Sequence, residues 1–150
     1  MRCAFLPHKG TKRPCVALPD ALKYLMPVLH VRALPQVDPS LVKPALKKTC
    51  LAIADICRCP PGQVWATWEE IRPGWYVEGT KSGTRQTLLT HPPICQLIGF
   101  EGKTSVEIEE ILLVASKTLS AKLNIGDNIY MTYLECKTGQ VIAGNGIVRK

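Results

Sequence analysis

Three kinds of segment are missing from this chain of 150 residues. No apolar run reaches the length that spans a bilayer, and no stretch has the make-up of a secretory h-region. No zinc-finger spacing, helix-turn-helix or RNA-binding aromatic signature is present. The two-residue spacing of the usual zinc and redox cysteine hairpins is also lacking, since Cys57-Arg58-Cys59 has a single residue between its thiols. These absences argue against a membrane partner, a nucleic-acid partner and a bound metal. The seven cysteines, Cys3, Cys15, Cys50, Cys57, Cys59, Cys95 and Cys136, are odd in number and follow no export signal. The cytoplasm, where thiols stay reduced, is the expected location.

The chain is 46% hydrophobic, enough for one packed core. Its net charge of +7 is uneven. Residues 1–25 hold Arg2, Lys9, Lys12, Arg13 and Lys23 against Asp20, a net +4, which leaves +3 for the remaining residues. A nucleic-acid binder would have to rely on that basic leader, and its binding would collapse as salt rises. Residues 1–26 carry three prolines and no sustained period, and are expected to be a disordered leader or a mis-assigned start. The domain is expected to run over 27–150.

From Pro27 the pattern becomes regular. Leu29, Val31 and Ala33 alternate in the manner of a strand. Asp38 followed by Pro39 opens a helix, along which Leu46, Cys50, Ile53 and Cys57 form a stripe that reads as packing. Pro44 sits early enough in it to be tolerated. The stretch Cys59-Pro60-Pro61-Gly62 stops the helix, 63–71 reads as a second strand, and a turn leads to a short extended piece, 75–79.

The order then repeats. Strand 92–100 is followed by a capping box of Thr104 and Glu107, a helix with Ile108, Ile111, Leu112, Ala115 and Leu119 on one stripe, and strand 128–135. A shift of 66 lays Pro27 on Pro93, Val31 on Leu97, Leu46 on Leu112 and Ile53 on Leu119. A shift of 65 then lays Val64 on Ile129, Trp68 on Tyr133, Glu70 on Glu135, Gly74 on Gly139 and Gly79 on Gly144. Strands, helix and turn glycines in step imply a duplicated β-α-β unit, with repeats at 27–80 and 93–148. Two such units side by side predict an α/β (α+β) fold, a four-stranded mixed sheet with two helices on one face and the other face open to a subunit.

With these residues in view, the chain resembles the tautomerase superfamily. "PICQLIGFEGKTS" (93–105) is similar to the opening strand and loop of the short members akin to 4-oxalocrotonate tautomerase, with Lys103 in place of their usual arginine. "LIGFEG", "NIYMTYLE" and Pro60-Pro61 resemble stretches of macrophage migration inhibitory factor. The resemblance covers Pro27 to about Ile147. It implies a homotrimer and an amino-terminal proline that moves a proton on a small enolisable carbonyl acid, with no cofactor. A free secondary amine starts near the ordinary α-amino pKa of about 7.7–8.0, and burial beside cations lowers it.

If translation starts at Met26 and that methionine is removed, Pro27 becomes the general base. If the leader stays attached, the Pro27 nitrogen is an amide and the fold serves as a non-catalytic, cytokine-like interaction protein.

By the same resemblance, Lys103 holds the substrate carboxylate, Tyr130 takes the position of a pocket tyrosine, Arg58 lies near a basic residue that precedes the double proline, and Tyr76, with Trp75, walls the pocket. Val37 stands where the first unit would have offered a partner to Lys103. Thr132 replaces an asparagine, Ala143 stands where a water-activating acid would be, and Phe100 and Lys103 stand in place of paired arginines, so hydrolytic dehalogenation is not expected. His30 and His91 are expected at the surface or a strand edge.

Overall fold

Strand β1, Val28–Ala33, buries Leu29, Val31 and Ala33 and turns Val28, His30 and Arg32 the other way, as the two-residue period requires. This computed structural model describes residues 26–90, 93–143 and 146–147. The leader up to residue 25, His91 and Gly144 lie outside the described residues. After β1, the Asp38 side chain accepts a hydrogen bond from the Ser40 amide (3.0 Å) and opens a 3-10 turn, Pro39–Leu41, which runs into helix α1, Val42–Ile56. Strand β2, Trp65–Glu70, follows, then a hairpin of β3, Tyr76–Glu78, and β4, Lys81–Gly83. The second unit supplies β5, Ile94–Phe100, helix α2, Ser105–Leu123, strand β6, Tyr130–Cys136, and a small hairpin of β7, Ile142–Ala143, and β8, Gly146–Ile147.

The main sheet has the order β2-β1-β5-β6. Within each unit the two strands are parallel, and the units meet antiparallel at β1 and β5. His30 lies opposite Gln96 in that central pair, and these two residues are also equivalents under the 66-residue shift. A pseudo-twofold axis therefore passes between them. Both helices pack on one face of the sheet and against each other. This is the four-stranded mixed sheet with two helices that the duplication predicts.

The repeat holds at the level of single hydrogen bonds. The Cys59 amide donates to the Ala54 carbonyl (2.9 Å), and the Ile125 amide donates to the Ser120 carbonyl (3.2 Å). Trp65 N–H reaches the Pro27 carbonyl (3.1 Å), and Tyr130 N–H reaches that of Pro93 (3.3 Å). Among the described residues the non-glycine positions with positive φ are Arg58 (52°) and Asn124 (56°), each at the end of its unit's helix.

One expectation is corrected. The deepest line of α1 runs through Ala45, Thr49 and Ile53, while Leu46 and Cys50 sit half-buried on its flank. Ile111, Ala115 and Leu119 form the matching line of α2, each at a shift of 66 from its counterpart. The two helices face each other, and small residues let them approach. Thr49 is admitted because its hydroxyl donates to the Ala45 carbonyl (2.9 Å). In α2 the Thr104 hydroxyl accepts from the Glu107 amide, and the Glu107 carboxylate accepts from the Thr104 amide (2.7 Å), as the capping box predicts.

The core joins Leu29, Val31, Ile53, Leu97, Ile111, Leu119 and their neighbours, and each fully buried leucine or isoleucine contributes about 1.5–3 kcal/mol. Among the described residues, the members of this core lie between residues 29 and 133. The open sheet face shows Trp65, Ile94, Tyr130 and Leu134 to solvent, with His30 Nδ1 against Thr67 Oγ1 (2.7 Å) and an Arg32–Glu69 ion pair (3.0 Å). Among the described residues, no helix is long and apolar enough to cross a membrane.

Candidate active site

Pro27 ends the approach to β1 and is buried on the helix side of the sheet, in phase with Leu29 and Val31. Beside it lies a narrow cavity with room for about one water molecule. The helical wall is made by Cys57, at the end of α1, and Ile111 of α2, and the sheet wall by Gly99 of β5 and Tyr133 of β6. Lys103 closes one side and Met26 another.

Each wall has a local cause. Cys57 is held where α1 stops, its amide on the Ile53 carbonyl (2.9 Å). Lys103 precedes the cap of α2, so the capping box that fixes Thr104 also fixes the direction from which Lys103 leaves the backbone. Tyr133 is half-buried and lies across its neighbour strand, with its hydroxyl on the Phe100 carbonyl (3.3 Å). That placement requires glycine at position 99. A Cβ there would collide with the Tyr133 hydroxyl and come within 2.8 Å of the ring carbon that bears it.

The electrostatics are those of a partly dry site. Burial pushes the Tyr133 phenol up to about 12, helped by Cys57, Glu135, Cys136 and Glu107. Burial also raises the thiols of Cys57 and Cys59 against the opposing pull of the Lys103 ammonium, so they stay protonated at neutral pH. Glu107 is held below the usual carboxylate range by its hydrogen bonds to Thr104 and, to a lesser extent, by Lys103. A wider cleft of about 290 Å³ adjoins the cavity, sharing Cys57, Lys103 and Ile111 with it and adding Arg58, Glu107 and Glu110. Among the described residues neither Lys103 nor Arg58 forms an ion pair. Lys103 also acts on the Glu107 carboxylate, so a substrate carboxylate in this cleft would meet the two cations in competition with Glu107. No group of three His, Cys, Asp or Glu among the described residues is placed to hold a metal ion.

The structure thus brings Pro27 and Lys103 into one cavity and places Arg58 in the cleft beside it. Tyr130 and Tyr76 lie elsewhere. Tyr130 pairs with Ile94, which pairs with Arg32, so it sits five residues along β1 from Pro27, about 17 Å at the strand rise. Its side chain is exposed on the open face. Tyr76 lies in the β3–β4 hairpin against Gly83, which also touches Leu34 just beyond the far end of β1. Neither tyrosine reaches Pro27 within one chain.

Sequence reasoning passed over Tyr133, Gly99 and Cys57. The first two carried a signal: a glycine inside an apolar strand marks close approach of another group, and strand alternation puts Tyr133 on the same face as Leu97. Cys57 read as a packing residue on the helix stripe, and it is buried, but it also walls the cavity.

No protein-family model matches the sequence, and no curated protein does either. Solved structures do match in shape. Native fused 4-OT aligns with a TM-score of 0.69 at 16% identity, covering 81% of this chain and 95% of that one. N1, a member of the cis-3-chloroacrylic acid dehalogenase family, gives 0.66 at 10% identity, over 81% and 82%. A macrophage migration inhibitory factor-like protein from Entamoeba histolytica gives 0.63 at 13% identity, over 82% and 99%. At these identities the likeness speaks for the fold, and it agrees with the duplicated β-α-β architecture, the sheet order and the two helices on one face. The chain has the fold of the tautomerase superfamily.

Proposed function

We propose that this protein is a proline-based tautomerase acting on a small enolisable carbonyl acid, with residues 27–150 as the working unit. The observation that carries the proposal is the meeting of Pro27 and Lys103 at one cavity. With Met26 removed, Pro27 offers a secondary amine whose lone pair takes the proton from the carbon next to the carbonyl. The C–H electrons form the C=C bond, the carbonyl electrons move to oxygen, and the protonated amine returns its proton to the other end of the system. Lys103 holds the substrate carboxylate, with Arg58 beside it in the adjoining cleft. No cofactor is required for this chemistry, and the cytoplasm is the proposed setting.

The proposed assembly is a homotrimer built on the open sheet face, whose exposed Trp65, Ile94, Tyr130 and Leu134 supply apolar surface for contact. Structures of fused 4-OT include symmetric and asymmetric trimers. In such an assembly Tyr130 and Tyr76 could approach Pro27 only from a neighbouring subunit.

A second reading has its own observation. Met26 lines the same cavity, and while anything is attached before Pro27 its nitrogen is an amide with no basicity. In that state the chain is a non-catalytic interaction protein. Comparing the full chain with one begun at Met26, on phenylpyruvate and 2-hydroxymuconate, separates the two. Activity only in the shorter chain, abolished by Pro27→Ala, is expected. Inactivity of a shorter chain shown by mass to begin at Pro27 would sink the enzyme reading.

A further inference from the structure

Resting on that reading of Pro27 and Lys103, we infer that the Tyr133 hydroxyl is a third member of the site, donating a hydrogen bond to the oxygen that turns into an enolate when Pro27 removes the proton. Three features of the structure support it. The first is position. Tyr133 lines the cavity that holds Pro27 and Lys103, on the sheet side, while Lys103 comes from the loop before α2. The narrow cavity is closed by Met26, so substrate enters only once Met26 is gone. A carboxylate on Lys103 in the adjoining cleft and an acidic carbon at Pro27 then leave the sheet side for the carbonyl oxygen between them.

The second is availability. The Tyr133 hydroxyl donates to the Phe100 carbonyl at 3.3 Å, well beyond the usual 2.7–2.8 Å for O–H···O, so that bond is weak and is traded for a charged acceptor at a gain. The phenol also keeps its proton throughout the neutral range, because burial raises it to about 12. The donor is therefore neutral and always loaded, and it adds no positive charge beyond that of Lys103.

The third is the contrast between the two halves. At the Pro93 end, the equivalent of Tyr133 is Trp68, that of Lys103 is Val37 and that of Gly99 is Ala33. Pro93 is an internal residue that cannot offer an amine. Hydroxyl, cation, glycine and the proline that can be freed occur together at one end, while the other end lacks all of them. Packing alone does not require a tyrosine, since Trp68 fills the same place in the core on the other side.

Three comparisons on the chain begun at Met26, with 2-hydroxymuconate or phenylpyruvate as substrate, test the inference. Tyr133→Phe keeps the ring and deletes only the donor. The expected result is a fall in kcat of about 100-fold with KM changed less than about 3-fold, as for loss of a donor used in the transition state. Gly99→Ala, which displaces the hydroxyl without deleting it, is expected to lower kcat in the same direction. The third measurement uses the unaltered protein: oxalate, a planar mimic of an enolate acid, is expected to shift the ring-carbon resonance of labelled Tyr133. A Tyr133→Phe enzyme with kcat within about 3-fold of the parent, or an oxalate complex that leaves Tyr133 unmoved, overturns the inference. Pro27→Ala run alongside distinguishes the failures. If Pro27→Ala abolishes activity and Tyr133→Phe does not lower it, only the role of Tyr133 falls. If the parent shows no Pro27-dependent activity, the tautomerase reading falls and this inference with it.

Discussion

Pro27 and Lys103 come from different halves of a duplicated chain and wall the same cavity. The antiparallel pairing of β1 with β5 causes this, because it sets the start of the first unit beside the end of β5, from which the chain runs directly into the loop that carries Lys103. Duplication alone would produce two such sites related by the axis between His30 and Gln96. The substitution of Val37 for a cation, and the burial of Pro93 within the chain, leave one.

Lys103→Ala is expected to lower kcat/KM for acid substrates by about 10- to 100-fold, mostly through KM, because a hydrogen bond to a charged group is worth about 1.5–3 kcal/mol. Arg58→Ala, one step further out in the cleft, is expected to cost about 3-fold. Steady-state kinetics of the two variants side by side check the order, and an equal effect would place the carboxylate in the wider cleft.

Thr104→Ala removes the cap of α2 and is expected to lower stability by about 1 kcal/mol in denaturant titration. It is also expected to raise KM, because the same cap sets the direction in which Lys103 points. A stability loss with unchanged KM would separate Lys103 from the helix start.

Leu97→Ala deletes a fully buried side chain of β5 in the core and is expected to cost about 2–5 kcal/mol. Leu46→Ala, on the half-buried flank of α1, is expected to cost clearly less. Equal losses in urea melts would contradict the line of α1 through Ala45, Thr49 and Ile53.

Alkaline pH provides a further check. Cys95 and Tyr133 both have folded-state pKa values pushed up by burial to about 12, from ordinary values of 9.0 and 10.0. The folded chain therefore holds protons that the unfolded chain releases, and stability falls as pH rises. The Cys95 share is complete below about pH 9 and lost by about 12, and the Tyr133 share is lost between about 10 and 12. Denaturant midpoints measured from pH 8 to 12 are expected to fall, with the drop between 9 and 10 reduced in Cys95→Ala. A flat profile would contradict the burial of both groups.

Most of the architecture was legible because the repeat is. Helix caps, turn glycines and strand alternation recur in step, and no single weak motif had to carry the inference. The helix stripe was less legible. Hydropathy points to Leu46 and Cys50, whereas the contact between α1 and α2 selects small Ala45 and Thr49. The β3–β4 hairpin was half-visible, since Lys81-Ser82-Gly83 has no strand-like composition and is held by its partner. At the site, Lys103 was found by its likeness to the loop arginine of the short relatives, and the loop before α2 does bring it to Pro27. Tyr130 was placed by likeness to relatives, and register puts it at the other end of the sheet. Tyr133, three residues on, is the tyrosine that register brings to Pro27. Sequence spacing along one strand does not show which neighbour strand turns which residue toward a cavity.

The amino terminus of the protein from its native source, read by intact mass and sequencing, tests the central claim most directly. A chain that begins at Pro27, with a free secondary amine, is the predicted result. A chain that retains residues before Pro27 would contradict it, since the nitrogen would then be an amide and the cavity beside Lys103 would hold no base.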